Sequence, residues 1–173
     1  MKKLTILIIV IMAVISVIFG TNYLMLGRTL SETIKSDPRN SGIDISVHYQ
    51  NYINPSVLVF DVERVDGDKR PLDVFRVFLQ FAENCRDKKF DSVILSSKGK
   101  AKFMIDGACF RGLGEEYNKL NPIYITRTFP RNVYTIDGHR AFPDWEGGLL
   151  GVAMKQMEDF NTFNVRWYIE DMR

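Results

Sequence analysis

The sequence predicts an α+β protein with an N-terminal transmembrane helix and one domain after it. Residues 4–20 carry no charged side chain and come directly after Lys2 and Lys3, as in a membrane-targeting segment. Residues 43–50 alternate between apolar and polar side chains, which indicates a half-buried strand. Residues 57–96 predict strand, helix and strand in succession, a βαβ unit with two parallel strands. We therefore expect a mixed sheet of about six or seven strands with three helices.

The first segment, residues 1–27, is interpreted as a signal-anchor helix. Its apolar part extends over residues 4–26, which is about 34 Å of helix at about 1.5 Å per residue, enough to span a bilayer. Lys2 and Lys3 favour a cytoplasmic N-terminus, so the rest of the chain is expected on the extracytoplasmic side. The residues expected to anchor the helix in lipid are Leu4, Ile8, Ile11, Ile15, Phe19 and Tyr23.

Cleavage of this segment as a signal peptide is the alternative, and it would leave a secreted or periplasmic domain. No Ala-x-Ala site is present in the sequence. A cut after Ser16 places Val14 at the third position before the cleavage point, which is tolerable, whereas a cut after Gly20 places Ile18 there, which is poor. The uncleaved anchor is favoured because the apolar stretch continues past Gly20.

The charge of the domain argues against nucleic acid as a partner. The chain has 23 Lys and Arg residues against 21 Asp and Glu residues, and two of the basic residues are Lys2 and Lys3. Residues 28–173 are therefore neutral, whereas a domain that neutralises phosphates is expected to be basic. The expected partners are the lipid bilayer, through the N-terminal helix, and another protein of the cell envelope.

Residues 28–42 are predicted to be a juxtamembrane linker, because they are polar and contain Asp37-Pro38. The extracytoplasmic domain then comprises residues 43–173. After the strand over 43–50, a second strand is expected over 57–65, which begins with four apolar residues.

The middle of the domain is predicted to complete the βαβ unit. Pro71 suits the first position of a helix, and residues 72–89 then show a broad apolar helical face. A short apolar strand follows over 92–96, and a strand over 100–106 is expected to run antiparallel to it. The remaining elements are a helix over 107–120, a strand over 123–129, a hairpin over 133–142 around Asp137-Gly138 and a long helix over 148–170.

The two cysteines, Cys85 and Cys109, are expected either to form a disulfide in an oxidising compartment or to be buried as free thiols. Cys85 lies on the apolar face of the helix predicted over residues 72–89. A free cysteine packs there as a small apolar residue, so two free thiols are favoured.

A candidate catalytic group consists of Cys109, His139 and Asp144. Cys109 lies at the predicted start of a helix, where the helix dipole favours a thiolate. Nucleophile, base and orienting residue then follow in the order shared by transglutaminase-like and peptidoglycan-cleaving thiol enzymes, but no flanking residue identifies either family. The favoured interpretation is structural, with Cys109 in the core, His139 beside a turn and Asp144 in a surface loop.

A binding surface is predicted around residues 124–146, where basic and aromatic side chains alternate and suit a peptide, glycan or lipid. The candidate binding residues are Arg127, Arg131, Arg140 and Trp145. His48 and His139 have no partners at metal-ligand spacing, so no metal site and no cofactor is predicted.

Together, these features predict a membrane-anchored extracytoplasmic module that binds or assembles with other envelope proteins and has no catalytic activity of its own. A tethered thiol hydrolase or acyltransferase that uses Cys109, His139 and Asp144 is the alternative. The α+β architecture itself does not decide between them, because unrelated functions share it.

Overall fold

The computed structural model describes residues 2–172, and the side chains of Lys2 and Leu149 lie outside the description. Met1, the first residue of the predicted anchor, and Arg173 also lie outside it. The described chain is an α+β protein in which a long N-terminal helix precedes one five-stranded mixed sheet. The predicted class and the mixed character of the sheet are confirmed.

The N-terminal helix runs without a break through three consecutive parts. These are α1 (Lys2–Asn22), one π-helical turn (Tyr23–Gly27) and α2 (Arg28–Ser36). The residues at the two junctions, Asn22 and Arg28, keep right-handed helical backbone angles. The apolar segment and the residues after it therefore form one rod.

Residues 28–42, where the sequence predicts a polar linker, are largely helical and are fastened to the domain. Thr33 is buried, and Nδ2 of Asn84 donates a hydrogen bond to its hydroxyl oxygen over 2.8 Å. The helix stops at Asp37, whose backbone is extended because Pro38 follows it. The Asp37-Pro38 pair therefore marks the end of a helix.

The strands of the sheet lie side by side in the order of the chain. They are β1 (Ile43–Gln50), β2 (Asn54–Val65), β3 (Ser92–Ser97), β4 (Lys100–Asp106) and β5 (Tyr134–Thr135). β2 and β3 are parallel and are connected by α3 (Pro71–Asn84), so the βαβ unit is confirmed. The other neighbouring pairs are antiparallel, and β1 and β5 form the two edges of this sheet.

Residues 123–129 belong to a helix, and the strand predicted there is wrong. α5 (Pro122–Thr128) begins with proline at its first position, where the fixed backbone angle of proline suits a helix. The side chain of Asn121 caps this helix by accepting a hydrogen bond from the backbone N–H of Ile123 over 2.9 Å. The cap at Asn121 and the proline at position 122 together start a helix, although the apolar alternation over residues 123–129 favours a strand.

The hairpin predicted over residues 133–142 contains less strand than expected. β5 has two residues, and Tyr134 pairs with Arg140 in one isolated bridge. The turn at Asp137-Gly138 is present, with Gly138 at φ +84°. The sheet therefore has five strands instead of six or seven, because the preceding segment is helical and the second arm of the hairpin adds no strand. The described part of the domain accordingly has more helices than the three expected, since α5 replaces a predicted strand.

The hydrophobic core lies between one face of the sheet and the helices α3, α4 (Gly107–Glu116) and α6 (Leu149–Trp167). The ring centroid of Phe60 on β2 lies 5.1 Å from that of Phe78 on α3 and 6.1 Å from that of Trp167 on α6. The fully buried aromatic residues are Phe60, Phe75, Phe78, Phe81, Phe103, Phe110, Phe129, Phe160, Phe163 and Trp167. Core packing therefore accounts for much of the aromatic content of the chain.

Alternate side chains of the sheet point to the face away from this core. The strand register places His48, Val59, Ile94, Met104 and Tyr134 in one row across all five strands. Asp61 follows Val59 on the same face of β2 and is almost fully buried. An ionised carboxylate in this position is costly to keep away from water.

Candidate binding groove beside the N-terminal helix

A groove of about 580 Å³ runs between the N-terminal helix and the outer edge of β1. Its helix wall comprises Phe19, Asn22, Tyr23, Gly27, Leu30, Ser31, Ile34 and Lys35, and its other wall comprises residues 43–48 together with Tyr52. Because β1 is the first strand in the order of the sheet, this groove is bounded by a sheet edge and not by a sheet face.

The two walls of the groove run in opposite directions. β1 begins near the C-terminal end of the helix, because only a few residues around the 3-10 turn Pro38–Asn40 separate the two elements. β1 ends beside residues 19–22, where the ring centroids of Phe19 and Tyr52 lie 4.8 Å apart. The groove therefore follows the helix from Phe19 at one end to Lys35 at the other.

Asn22 connects the helix to the end of β1 at the first end of the groove. Its side-chain oxygen accepts a hydrogen bond from the backbone N–H of Tyr49 over 2.8 Å. Its side-chain nitrogen donates to the carbonyl oxygen of Tyr52 over 2.7 Å and to that of Ile18 over 2.9 Å. Asn22 is only 4% exposed, and all these bonds satisfy a polar group that is costly to bury alone.

At the other end of the groove, Asp37 connects the end of α2 to α3. Its carboxylate accepts hydrogen bonds from Nη2 of Arg39 over 2.7 Å and from Nε2 of Gln80 over 3.0 Å. The guanidinium of Arg39, together with Gln80, holds the pKa of Asp37 well below its ordinary value. Asn40 adds a bond of 2.6 Å from its side-chain nitrogen to Oε1 of Gln80. The helix wall is thus held to the domain at both ends.

The edge of β1 presents backbone groups to the groove. The N–H of Tyr49 points away from β2, since it binds the side chain of Asn22. Backbone groups of alternate residues in a strand point to the same side, and the register from Ile45 to Tyr49 is unbroken. The N–H and C=O groups of Ile45 and Val47 therefore also point away from β2, towards the helix. The groove combines apolar walls with a row of backbone donors and acceptors.

An aromatic stack closes the groove at the β1–β2 turn. The ring of His48 stacks on that of Tyr52 with 4.3 Å between centroids, and Tyr52 in turn contacts Phe19. Asn51 and Tyr52 have positive φ angles of 52° and 64°. A left-handed backbone costs about 1–2 kcal/mol for such a residue, so other contacts have to hold Tyr52 in place. The bonds of Asn22 and the ring stack supply them.

The described chain contains one helix, within Lys3–Ser36, that is long and apolar enough to cross a membrane, a property that signal sequences share. The anchor residues predicted from the sequence are all exposed on it: Leu4, Ile8, Ile11, Ile15, Phe19 and Tyr23. Exposed apolar side chains along a whole helix suit a lipid environment better than water. That the helix crosses a membrane, and in which direction, stays a prediction.

The three residues of the candidate catalytic group are not joined by any hydrogen bond or ion pair within residues 2–172. Cys109 lies in the first turn of α4, and burial, with the charges of Asp106 and Glu116, raises its pKa to about 12. His139 is exposed, and its backbone N–H binds the hydroxyl oxygen of Thr135 over 3.2 Å. A thiol with this pKa is protonated at neutral pH.

Asp144 and the second cysteine have other surroundings. The carboxylate of Asp144 pairs with Arg140 over 2.9 Å. Cys85 is buried in the core, both it and Cys109 are free thiols, and burial raises the pKa of Cys85 to about 12. In the part of the chain that the structure describes, no group of three histidine, cysteine or acidic residues is placed to hold a metal ion.

The predicted binding residues of the second half contact different neighbours. Nη1 of Arg140 donates to the carbonyl oxygen of Arg131 over 3.2 Å, and Arg127 stacks on the ring of Tyr124 at 5.8 Å. Trp145 instead faces α6, where its indole nitrogen donates to Asp159 over 2.6 Å and Lys155 lies 4.1 Å from its ring centre. These side chains are largely engaged with their own neighbours, and their role in binding stays a prediction.

The groove was not predicted from the sequence, although one signal of it is present. Asn22 is a polar amide at the end of a long apolar segment, and polar residues in such segments usually have a partner in the protein. The chain matches no protein-family model, no curated protein and no solved structure. The proposals below are therefore argued from the geometry of this chain.

Proposed function

We propose that the chain is a single-pass, membrane-anchored extracytoplasmic module that binds an extended segment of another envelope protein in the groove beside its helix. It acts by binding and has no catalysis of its own. One observation carries the proposal: the groove has the continuation of the apolar helix as one wall and an open sheet edge as the other.

The helix supports the anchoring part of the proposal. Its exposed apolar side chains extend from Leu4 to Met25, and contacts with the domain begin at Phe19 and Asn22. The rise from Leu4 to Asn22 is about 27 Å, close to the thickness of the hydrocarbon core of a bilayer, about 30 Å. The bilayer then ends where the domain begins, with Lys3 on the cytoplasmic side.

The way the helix joins the domain supports a fixed position above the membrane. Leu26, Leu30 and Thr33 are buried in the domain, so the helix continues into the core instead of ending in a flexible linker. A rigid connection of this kind holds the groove at one height along the helix axis, directly above the bilayer. Such a module suits the recognition of segments that are themselves presented near the membrane.

The chemistry of the groove supports an extended polypeptide as the ligand. The outward-facing N–H and C=O groups of Ile45 and Val47 match the main chain of a strand added to the edge of β1. Leu30 and Ile34 on the opposite wall offer apolar surface for alternate side chains of that strand. Main-chain pairing with apolar pockets is a recurring mode of peptide recognition.

Thiol labelling in intact cells tests the topology. The variants Lys119→Cys and Lys3→Cys place a cysteine in the domain and at the start of the anchor, and the wild-type chain, with Cys85 buried and Cys109 half-buried, gives the background. A membrane-impermeant maleimide is expected to label Lys119→Cys directly and Lys3→Cys only after permeabilisation. The reverse pattern, or a mature chain that lacks the N-terminal segment in mass spectrometry, contradicts an anchored extracytoplasmic module.

Site-specific photocrosslinking tests the groove. A benzoylphenylalanine in place of Ser31, which lines the groove, is expected to give an adduct with an envelope protein. The same residue in place of Ser36, on the other side of the helix, is the matched control. The variant Ile45→Pro removes a groove-facing N–H group and should abolish the Ser31 adduct, whereas Ile45→Ala should keep it.

The pattern of adducts shows whether the groove is the binding surface and whether the ligand binds by strand addition. Equal adducts at positions 31 and 36 would show that the groove is not the binding surface. An adduct that survives Ile45→Pro in a chain whose circular dichroism is unchanged would exclude strand addition. Sequencing of the crosslinked peptide shows whether the captured segment carries apolar residues at alternate positions, as the pocket chemistry requires.

A further inference from the structure

We infer that the tip of the β1–β2 hairpin, residues 51–53, is a second membrane contact that enters the interfacial region of the bilayer around the anchor helix. The inference rests on the proposed function, since it requires the helix to cross a bilayer. The partner it commits to is the lipid surface, at the boundary of headgroups and acyl chains.

The position of the tip points to this partner. β1 runs back along the helix, so the tip lies level with residues 18–22, where Asn22 binds the carbonyl oxygens of both Ile18 and Tyr52. The exposed apolar side chains of the helix extend from Leu4 to Met25, so this level lies within the last two turns of that stretch. A hairpin that ends at this level on the outside of the helix lies where the hydrocarbon core gives way to headgroups.

The side chains of the tip continue the apolar surface of the helix. Ile53 is 69% exposed and Tyr52 is 38% exposed, next to the exposed Phe19 and Tyr23 of the helix. Tyrosine is enriched at membrane interfaces because its ring is apolar and its hydroxyl is polar. One continuous surface of this kind, shared by a membrane helix and a hairpin, fits a lipid boundary better than water.

The backbone of the tip is arranged to keep these side chains in place. Asn51 and Tyr52 both have positive φ angles, a conformation in which glycine or asparagine is the usual residue in two-residue hairpin turns. A tyrosine is nevertheless held there by the hydrogen bond from Asn22 and by the rings of Phe19 and His48. The turn thus presents a large aromatic side chain at a backbone position that disfavours one.

Two membrane contacts would fix the orientation of the domain. A single helix allows the domain to tilt with it in any direction, whereas a hairpin in the interface on one side of the helix sets which side faces the membrane. The groove opens between the helix and the strand that leads to this tip. The tip would therefore hold one end of the groove at the lipid surface.

Depth measurements with spin labels test the inference on the full chain in phosphatidylcholine vesicles. Labels are attached at Ile53→Cys, at Ile15→Cys in the anchor and at Leu72→Cys, an exposed position at the other end of the sheet. Of the native cysteines, Cys85 is buried and Cys109 is half-buried, and the wild-type chain treated with the label gives the background. The measurement is the ratio of collision rates with oxygen and with a water-soluble nickel chelate.

The ratio is expected to be highest at Ile15, intermediate at Ile53 and lowest at Leu72, because oxygen concentrates in lipid and the nickel chelate in water. The value at Ile53 should be several-fold above that at Leu72. A lipid-like value at Ile15 with a water-like value at Ile53 overturns the inference and leaves the anchor intact. A water-like value at Ile15 overturns the anchor itself and the proposed function with it. Because Ile53 is exposed, its label is not expected to unfold the domain, and circular dichroism checks this.

Discussion

The side-chain oxygen of Asn22 accepts a hydrogen bond from the backbone N–H of Tyr49 over 2.8 Å. This bond links the last turn of α1 to the edge strand of the sheet, 27 residues further along the chain. It is the point at which an apolar helix becomes part of a folded domain. Its loss is expected to affect both stability and the orientation of the helix.

Replacement of Asn22 by leucine is expected to destabilise the protein. The N–H of Tyr49 and the carbonyl oxygen of Tyr52, whose bonds to Asn22 are part-buried, would lose their partner, at a cost of about 1–3 kcal/mol in the free energy of unfolding. Urea unfolding of the full chain in detergent micelles, followed by the fluorescence of the buried Trp167, measures this change. The neighbouring exposed residue serves as a control, since Thr21→Ala should change the free energy by less than about 0.5 kcal/mol.

Gly114→Ala is expected to destabilise the contact between α3 and α4. A Cβ atom at Gly114 would lie 2.4 Å from the backbone oxygen of Ala82, which cannot move without shifting α3. Overpacking of this kind costs about 1–3 kcal/mol. Gly112, in the same helix, has open space at its Cβ position, so Gly112→Ala should gain up to about 1 kcal/mol. Equal melting temperatures of the two variants would show that the helices are not packed this closely.

Asp61→Asn is expected to raise stability at neutral pH. Burial raises the pKa of Asp61, and the charge of Glu63 raises it further. The hydrogen bond from the N–H of Gly99 and the charge of His48 lower this pKa and offset part of the shift. Because the native pKa is raised, ionisation destabilises the fold: the penalty is absent well below the ordinary pKa of aspartate and grows as pH rises towards the native pKa.

The asparagine variant should remove this pH dependence. It keeps an acceptor for the N–H of Gly99, which lies 2.8 Å from Oδ2 of Asp61. At pH 7 a gain of about 1 kcal/mol or more in the free energy of unfolding is expected, with little difference from the wild type near pH 3. Asp87→Asn, at an exposed position in the turn after α3, is the control and should be close to neutral. A variant less stable than the wild type at pH 7 would refute the prediction.

Cys109 is expected to react slowly with iodoacetamide at pH 7.5. Its pKa of about 12 leaves almost no thiolate, and the thiolate is the reactive form. Mass spectrometry should find Cys109 modified in urea and unmodified in the folded chain, whereas an exposed cysteine made by Ala108→Cys should react at once. Rapid modification of Cys109 in the folded chain would instead favour the thiol hydrolase hypothesis.

The local elements that the sequence predicts correctly are those with a strong periodic pattern. The alternation over residues 43–50 predicts β1 with the bounds that the structure has, and Pro71 marks the first residue of α3. The parallel pairing of β2 and β3 follows from the order strand, helix, strand. In each case neighbouring residues determine the backbone, and the fold agrees with them.

The elements predicted incorrectly are those where two sequence signals favour different structures. The alternation over residues 123–129 favours a strand, but the cap at Asn121 and the proline after it start a helix. Residues 28–36 look polar and short, yet they extend the N-terminal helix because Thr33 and its neighbours are buried against α3. A polar composition does not reveal which face of a short helix finds a partner.

The sequence by itself determined that this chain begins with an apolar helix and continues as an α+β domain of neutral charge, because composition and periodicity are local properties. Only the tertiary structure decided that β1 is an edge strand, that its backbone faces the helix and that Asn22 joins the two. These are contacts between residues far apart in the chain. The groove is therefore a property of the order of the strands, which no short stretch of sequence contains.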